Sequence, residues 1–303
     1  MKLVAAVFAG ACALAATSLA HAALAIFACE PEWAALAKEV GGDKVSAFSA
    51  VTAQQDPHRI EARPSLIARV RSADAVVCTG ADLEAGWLPL LLRSGGNSKV
   101  QPGQPGHFMA ADYVAKLEVP TRLDRSEGDV HAYGNPHVHL DPRNLARIGH
   151  ALGERLAQID RVNAAYYQAR TATFLERLDQ AIPQWEAQAA PLKGMRVVAH
   201  HRDHVYLLQW LGVTEAANLE PKPGVHPSAA YLATLLERTA SEPPQAILRS
   251  TYTDPKPAQW LSSRTRLPVV VMPYTVGGTP QARDLFGLFS DSIDRLLAAK
   301  KGQ

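Results

Sequence analysis

Residues 24–42 read LAIFACEPEWAALAKEVGG, and they join a short apolar run to a helical pattern. The run 24–28 has the length of a buried strand, and the apolar residues after it recur at the three- and four-residue spacing of one helix face. Gly41 and Gly42 then end the predicted helix. The alternation continues, with strands predicted over 45–51 and 73–78 and a helix over 64–70. Strands that alternate with helices are typical of a doubly wound parallel sheet.

The second half of the chain repeats this alternation after one long helical pattern. That pattern runs from Asn163 to about Gln188, and Pro183 within it predicts a kink or a break. Later strands are predicted at 196–199, 246–248 and 268–272. The sequence therefore predicts an α/β fold of two doubly wound parallel-sheet lobes joined by one long rigid helix. The predicted bounds are 23–160 for the first lobe, 161–193 for the connecting helix and 194–303 for the second lobe.

The N-terminus has the pattern of a secretory signal. Met1-Lys2 is a short basic start, residues 3–19 are apolar, and Ala20-His21-Ala22 fits the small-residue rule for cleavage. We expect a cleaved signal peptide over 1–22 and a mature protein in the periplasm. No later segment has the ~18 consecutive apolar residues of a membrane span. The net charge of +2 argues against a nucleic-acid partner, and we expect a monomer.

Two cysteines, Cys29 and Cys78, remain after removal of the signal. An even number of cysteines in an exported chain favours a disulfide. Each cysteine lies at the end of a strand-like run, so the two would lie side by side if those strands were neighbours in a parallel sheet. Two buried thiols are the alternative.

Histidines close three short segments that lie far apart in the sequence, Gln55–His58, Gly134–His137 and Val197–His201. Neutral imidazole binds zinc well, and a zinc site needs three or four donors from different directions. No HExxH motif is present, so the helical two-histidine site of many zinc enzymes is excluded. What remains is a site assembled from loops of both halves. Three neighbouring histidines stay open as ligands at this point: His139, His200 and His204.

Several short motifs together resemble the substrate-binding component of zinc and manganese ABC importers, the cluster A-I or zinc-uptake type. The resemblance covers essentially the whole mature chain. It implies two α/β lobes joined by a long helix, with the metal held between the lobes. The matching segments are Asp56-Pro57-His58, Ala73–Val77 with Gly80, Glu84 and Trp87, Asn135–Pro142, and Val198–His201 with Tyr206.

The resemblance also implies which histidines bind the metal. His58 and His137 match ligands from the first lobe, and His201 matches the ligand from the second. His201 is favoured over His200 because the family's ligand precedes a tyrosine by five positions, here Tyr206. Three imidazoles favour zinc, since manganese-binding members replace a histidine with a carboxylate.

The chain departs from the family pattern in two places. The family's aspartate ligand follows the last strand, but residues 271–278 read VMPYTVGG and contain no carboxylate. A fourth ligand would then be water or another side chain, with Glu220 the first candidate and His226 the second. The family's histidine-rich acidic loop is nearly missing, with only Asp129, His131 and His139 near its place. We interpret that segment as a plain surface loop, with weak metal collection as the alternative.

These observations predict a periplasmic protein that binds a divalent metal with high affinity and delivers it to an inner-membrane ABC permease. Zinc is the favoured cargo, and manganese or another divalent metal is possible. The protein is not expected to be an enzyme. One alternative is a secreted zinc hydrolase with three histidine ligands and an activated water. Another is a binding protein for manganese, copper or a metal–chelator complex, which the missing aspartate makes more credible.

Overall fold

The computed structural model describes residues 22–121, 128 and 131–302. Over these ranges the strands form two parallel sheets of four strands each, one in each half of the chain. The first sheet contains β1 (Leu24–Ala28), β2 (Val45–Ser49), β3 (Ala75–Cys78) and β4 (His107–Met109), in the spatial order β2-β1-β3-β4. The second contains β5 (Arg196–Ala199), β6 (Thr214–Asn218), β7 (Ala246–Ser250) and β8 (Val269–Met272), in the order β6-β5-β7-β8.

Helices connect the strands, as parallel pairing requires. In the first half they are α1 (Pro31–Gly41), α2 (Pro64–Arg71), α3 (Leu88–Gly95) and α4 (Pro142–Ile159). In the second half they are α6 (Val205–Leu211), α7 (Ala229–Arg238), α8 (Lys256–Thr265) and α9 (Leu285–Lys301). The two sheets have the same strand order relative to the chain, so each half brings the carboxyl ends of its strands to one edge, where open sheets bind ligands.

The long helix α5 (Ala164–Ala189) lies between the two sheets in the chain and packs against α1 and α4 of the first half and α9 of the second. Pro183 lies inside α5, and the helix continues through it. Proline removes one backbone hydrogen bond, and the buried Leu178 and Trp185 on either side anchor the helix to its neighbours. The predicted α/β fold with a long helix between two lobes is confirmed, while the lobe boundaries stay a prediction.

The predicted disulfide joins Cys29 to Cys78. Strands β1 and β3 are parallel neighbours in which Ala28 pairs with Val77, so the two cysteines follow at matching positions. The backbone N–H of Cys29 donates to the carbonyl of Val77 at 2.9 Å. Strand ends in register therefore bring the two thiols together, as the sequence predicted.

Two strands, β4 and β6, were not predicted from the sequence. Strand β4 has only three residues, which are too few to show a period. Strand β6 reads TEAAN and has no apolar run, because none of its residues is fully buried. The predicted signal peptide, apart from Ala22, and Asp129 lie outside the described residues. None of the described helices is both long and apolar enough to cross a lipid bilayer.

Candidate metal centre

Three histidines from both halves of the chain meet in one cluster. His58 lies in the loop after β2, His137 lies just before α4, and His201 follows β5. One ring nitrogen from each lies within 4.8 Å of the others. The three ring centroids are 5.6–5.7 Å apart, and the rings meet edge to face. The three histidines that the sequence singled out are thus brought together at the junction of the two lobes.

The first two histidines sit on matching local turns. The side-chain oxygen of Asp56 accepts a hydrogen bond from the backbone N–H of His58 at 3.0 Å, and Asn135 does the same for His137 at 3.0 Å. Proline occupies the middle position of each turn and fixes its backbone angle. The repeated pattern of Asp or Asn, proline and histidine therefore encodes the same local geometry twice.

Two of the imidazoles are oriented by carboxylates. The Nδ1 atom of His58 lies 2.8 Å from Oδ1 of Asp56, and Nδ1 of His201 lies 2.7 Å from Oε2 of Glu220. A carboxylate on one ring nitrogen fixes the proton there and leaves Nε2 as the electron-pair donor. Both rings are therefore prepared to bind a metal through Nε2.

A tyrosine plays the same part for the third imidazole. The hydroxyl of Tyr274 lies 3.0 Å from Nδ1 of His137, and both side chains are buried. Burial, and then the charge of Glu32, raises the pKa of Tyr274 well above its usual value, so the hydroxyl stays protonated at neutral pH. Tyr274 lies in the carboxylate-free stretch 271–278, and from there it holds His137 across the lobe junction.

The electrostatics of the cluster keep the most buried imidazole neutral. Burial, and then the nearby charges of His58 and His201, holds the pKa of His137 well below its usual range. Burial acts to lower the pKa of His201 as well, but the hydrogen bond that its Nδ1–H donates to Glu220 and the charge of Asp203 outweigh burial and raise that pKa. Since a metal needs deprotonated imidazoles, His137 is ready to bind at neutral pH, whereas His201 competes with a proton.

Residues 26–299 match the family model described as "Zinc-uptake complex component A periplasmic". The chain belongs to this family. It is 24% identical over 246 residues to the manganese ABC transporter substrate-binding lipoprotein PsaA of Streptococcus pneumoniae, covering 79% of this chain and 76% of that protein. Its fold is similar to the crystal structure of ZnuA, with a TM-score of 0.72 and 22% identity over 92% of this chain and 97% of that chain. It is also similar to the protein FpvC from P. aeruginosa in complex with Ni²⁺, with a TM-score of 0.72 and 19% identity over 92% and 97% of the two chains.

Family membership confirms the resemblance seen in the sequence. The chain is a substrate-binding component of a metal ABC importer, a family of solute-binding proteins rather than enzymes. Relatives differ in the metal that their names give, so membership alone does not fix the cargo.

Neither candidate for the fourth ligand points at the centre of the cluster. The Oε2 atom of Glu220 lies beside Nδ1 of His201, and it also accepts a hydrogen bond from the backbone N–H of Gly224 at 2.9 Å. Glu220 and His226 line a cavity of about 110 Å³ beside His58 and His201. Among the described residues, neither of them, nor His131, belongs to the group whose ligand atoms all lie within 4.8 Å of one another.

Two of the remaining candidate histidines, His139 and His204, have carboxylate partners. His139 is buried, with Nε2 2.9 Å from the carbonyl of Tyr274 and Nδ1 3.2 Å from a carboxylate oxygen of Glu32. Nδ1 of His204 lies 2.6 Å from Asp203. His200 lines the same cavity of about 110 Å³ as Glu220 and His226. His139 therefore joins the two lobes, whereas the contact of His204 stays within the second lobe.

Tyr206 explains the five-residue spacing that favoured His201. Its hydroxyl donates to the carbonyl of Asn135 at 2.7 Å and accepts from the backbone N–H of Leu117 at 2.9 Å. Tyr206 lies in the first turn of α6, which follows the turn that carries His201. It therefore ties the segment of His137 in the first lobe to the helix that follows His201 in the second.

One histidine at the cluster was treated as part of a surface loop by the sequence analysis. The Nε2 atom of His131 lies 3.3 Å from Nε2 of His58, and the two ring centroids are 5.3 Å apart. Burial, and then the charges of His58 and His201, lowers the pKa of His131 to about 3. Its place in the family's histidine-rich loop was the only signal in the sequence, and that signal does not specify contact with His58.

Proposed function

We propose that the protein binds one zinc ion through the Nε2 atoms of His58, His137 and His201 and delivers it to an ABC permease. The observation that supports this most directly is the orientation of the three rings. Each imidazole has its Nδ1 atom occupied by a protein partner, which leaves one donor atom per ring for a shared ion. Such outer partners are typical of histidines that bind metals.

The donor atoms favour zinc over manganese as the cargo. Three imidazole nitrogens suit zinc, nickel and copper, whereas manganese and magnesium prefer carboxylate and carbonyl oxygens. The nearest carboxylates, Asp56 and Glu220, are engaged with Nδ1 atoms of the ring partners. A tetrahedral zinc site also fits a compact cluster, since Zn–N bonds of ~2.0–2.1 Å require nitrogen separations of about 3.3 Å.

Binding in this site displaces protons. His201, whose pKa is raised, must lose its proton before its Nε2 atom can bind, whereas His137 is already neutral. Zinc affinity should therefore weaken in acid.

The expected location and partners follow from the family. We propose that residues 1–22 direct export, that the mature protein works as a monomer in the periplasm, and that an inner-membrane permease receives the metal. The packing of α5 against helices of both lobes supports a modest relative motion of the lobes on binding rather than a wide closure. Release would then depend on docking to the permease.

A growth experiment tests the delivery role. A strain that lacks this protein should grow poorly when a chelator depletes zinc, and added zinc should restore growth. The gene for the wild-type protein should restore growth without added zinc, whereas a variant with His58, His137 and His201 replaced by alanine should not. Restoration by manganese alone would contradict zinc as the cargo, and hydrolysis of ester, peptide or lactam substrates by the zinc-loaded protein would favour the hydrolase alternative.

A further inference from the structure

We propose that His131 is the fourth protein ligand, so that the metal is bound by four imidazoles and no carboxylate. This inference rests on the proposed site at His58, His137 and His201. Its first support is a distance: the Nε2 atoms of His131 and His58 are 3.3 Å apart. Two donors on one tetrahedral zinc ion are separated by about 3.3 Å, given Zn–N bonds of ~2.0–2.1 Å.

The position of His131 relative to the other ligands gives the second support. His131, His137 and His201 line the same cavity of about 250 Å³, while His58 contacts the His131 ring. The one carboxylate on that cavity wall, among the described residues, is Glu118, which is paired with Arg202 and accepts from Asn135 at 3.0 Å. Imidazoles are therefore the donors that this side of the cluster presents.

The backbone near His131 is held in place by a strained turn. The backbone N–H of Ala132 donates to a carboxylate oxygen of Asp82 at 3.3 Å. Gly80, Ala81 and Asp82 have consecutive positive φ angles of 76°, 49° and 68°. For non-glycine residues this conformation is costly, and it occurs mainly where function requires a fixed geometry. The turn thus holds the backbone directly after His131, whose ring faces His58.

The two earlier candidates lie on another face of the cluster. Glu220 and His226 line the smaller cavity behind His201, and Glu220 already orients that ring. The Oε2 atom of Glu220 could bind the metal only by leaving Nδ1 of His201. His131 needs no such change, because its Nε2 atom already faces His58.

Four nitrogen donors have a consequence for the cargo. Without an oxygen ligand the site favours borderline metals such as zinc, nickel and copper over manganese, calcium and magnesium. Three of the four ligands, His58, His131 and His137, would come from the first lobe and one, His201, from the second. His131 would then replace the missing aspartate as the ligand that completes the coordination.

Zinc affinity of matched single variants tests the inference. His131→Ala should weaken zinc binding at least ~10–100-fold, the range that loss of even an outer partner produces. His150→Ala is the control, since His150 is exposed and pairs only with Glu154 among the described residues. His226→Ala should behave as the control does. An unchanged affinity for His131→Ala, or a larger loss for His226→Ala, would overturn the assignment.

A spectroscopic measurement distinguishes a direct ligand from a neighbouring ring. In long-range ¹H–¹⁵N spectra of the zinc-loaded full chain, the Nε2 resonance of His131 should move to the metal-bound position together with those of His58, His137 and His201. If His131 remains at a free position, its contact with His58 is only an imidazole–imidazole hydrogen bond and the proposal fails. Tight zinc binding by His58→Ala would instead contradict the proposed zinc site. Failure of the His131 assignment can therefore be told apart from failure of the proposed function.

Discussion

Replacement of Tyr274 by phenylalanine tests whether the loop without an aspartate supports the metal through His137. The variant keeps the ring and removes only the hydroxyl that lies 3.0 Å from Nδ1 of His137. Tyr274 is 2% and His137 1% exposed, so water cannot readily replace the lost partner. A bound metal at Nε2 requires a proton on Nδ1, and a buried N–H without an acceptor costs about 1–3 kcal/mol.

That cost predicts a zinc affinity weaker by roughly 5–150-fold in Tyr274→Phe, since every 1.4 kcal/mol is tenfold. Competition with a chromophoric zinc chelator at neutral pH measures it. Tyr113→Phe is the control, because the Tyr113 hydroxyl is bonded to Arg155 on the surface, away from the cluster. An affinity within twofold of the wild type would refute the reasoning that Tyr274 orients His137.

Three further predictions follow from the described contacts. Zinc affinity should fall about tenfold per pH unit below the raised pKa of His201, because one proton competes with the metal. Glu220→Gln removes the carboxylate that helps to raise this pKa, so the fall in affinity should move to lower pH. Isothermal titration across pH 5–8 would show both effects. Replacement of both Cys29 and Cys78 by serine should lower the free energy of unfolding by ~2–4 kcal/mol, because the disulfide closes a loop of 49 residues. A denaturant titration that finds the same free energy of unfolding would contradict this prediction. Manganese in large excess should fail to displace zinc from the wild-type protein, since the donors are nitrogens. Release of zinc by manganese, measured by the same chelator assay, would exclude an all-nitrogen site.

Features encoded within a few residues were predictable from the sequence. The alternation of apolar runs and helical faces predicted both sheets, and the strand ends predicted the disulfide of Cys29 and Cys78. The turns that end in His58 and His137 follow from Asp or Asn followed by proline, a local pattern with a local cause. The structure brings these two histidines together with His201, as the sequence led us to expect.

Features that depend on distant contacts were not predictable in the same way. Tyr274 meets His137 across 137 residues, and His131 meets His58 across 73. No periodicity or spacing encodes such a meeting, since the first arises only when the two lobes pack and the second only when distant segments of the first lobe fold together. Glu220 was the first candidate for the fourth ligand, and in the structure its carboxylate contacts Nδ1 of His201, a contact that depends on side-chain geometry. Strand β4 was missed because three residues carry no period.

The most direct test of the central claim is zinc titration of the variant in which His58, His137 and His201 are all alanine. The wild-type chain and the His150→Ala control should each bind one zinc ion tightly, and circular dichroism should show that the triple variant keeps the fold. The account predicts that the folded triple variant binds no zinc at micromolar concentration. Stoichiometric, tight binding by that variant would contradict it.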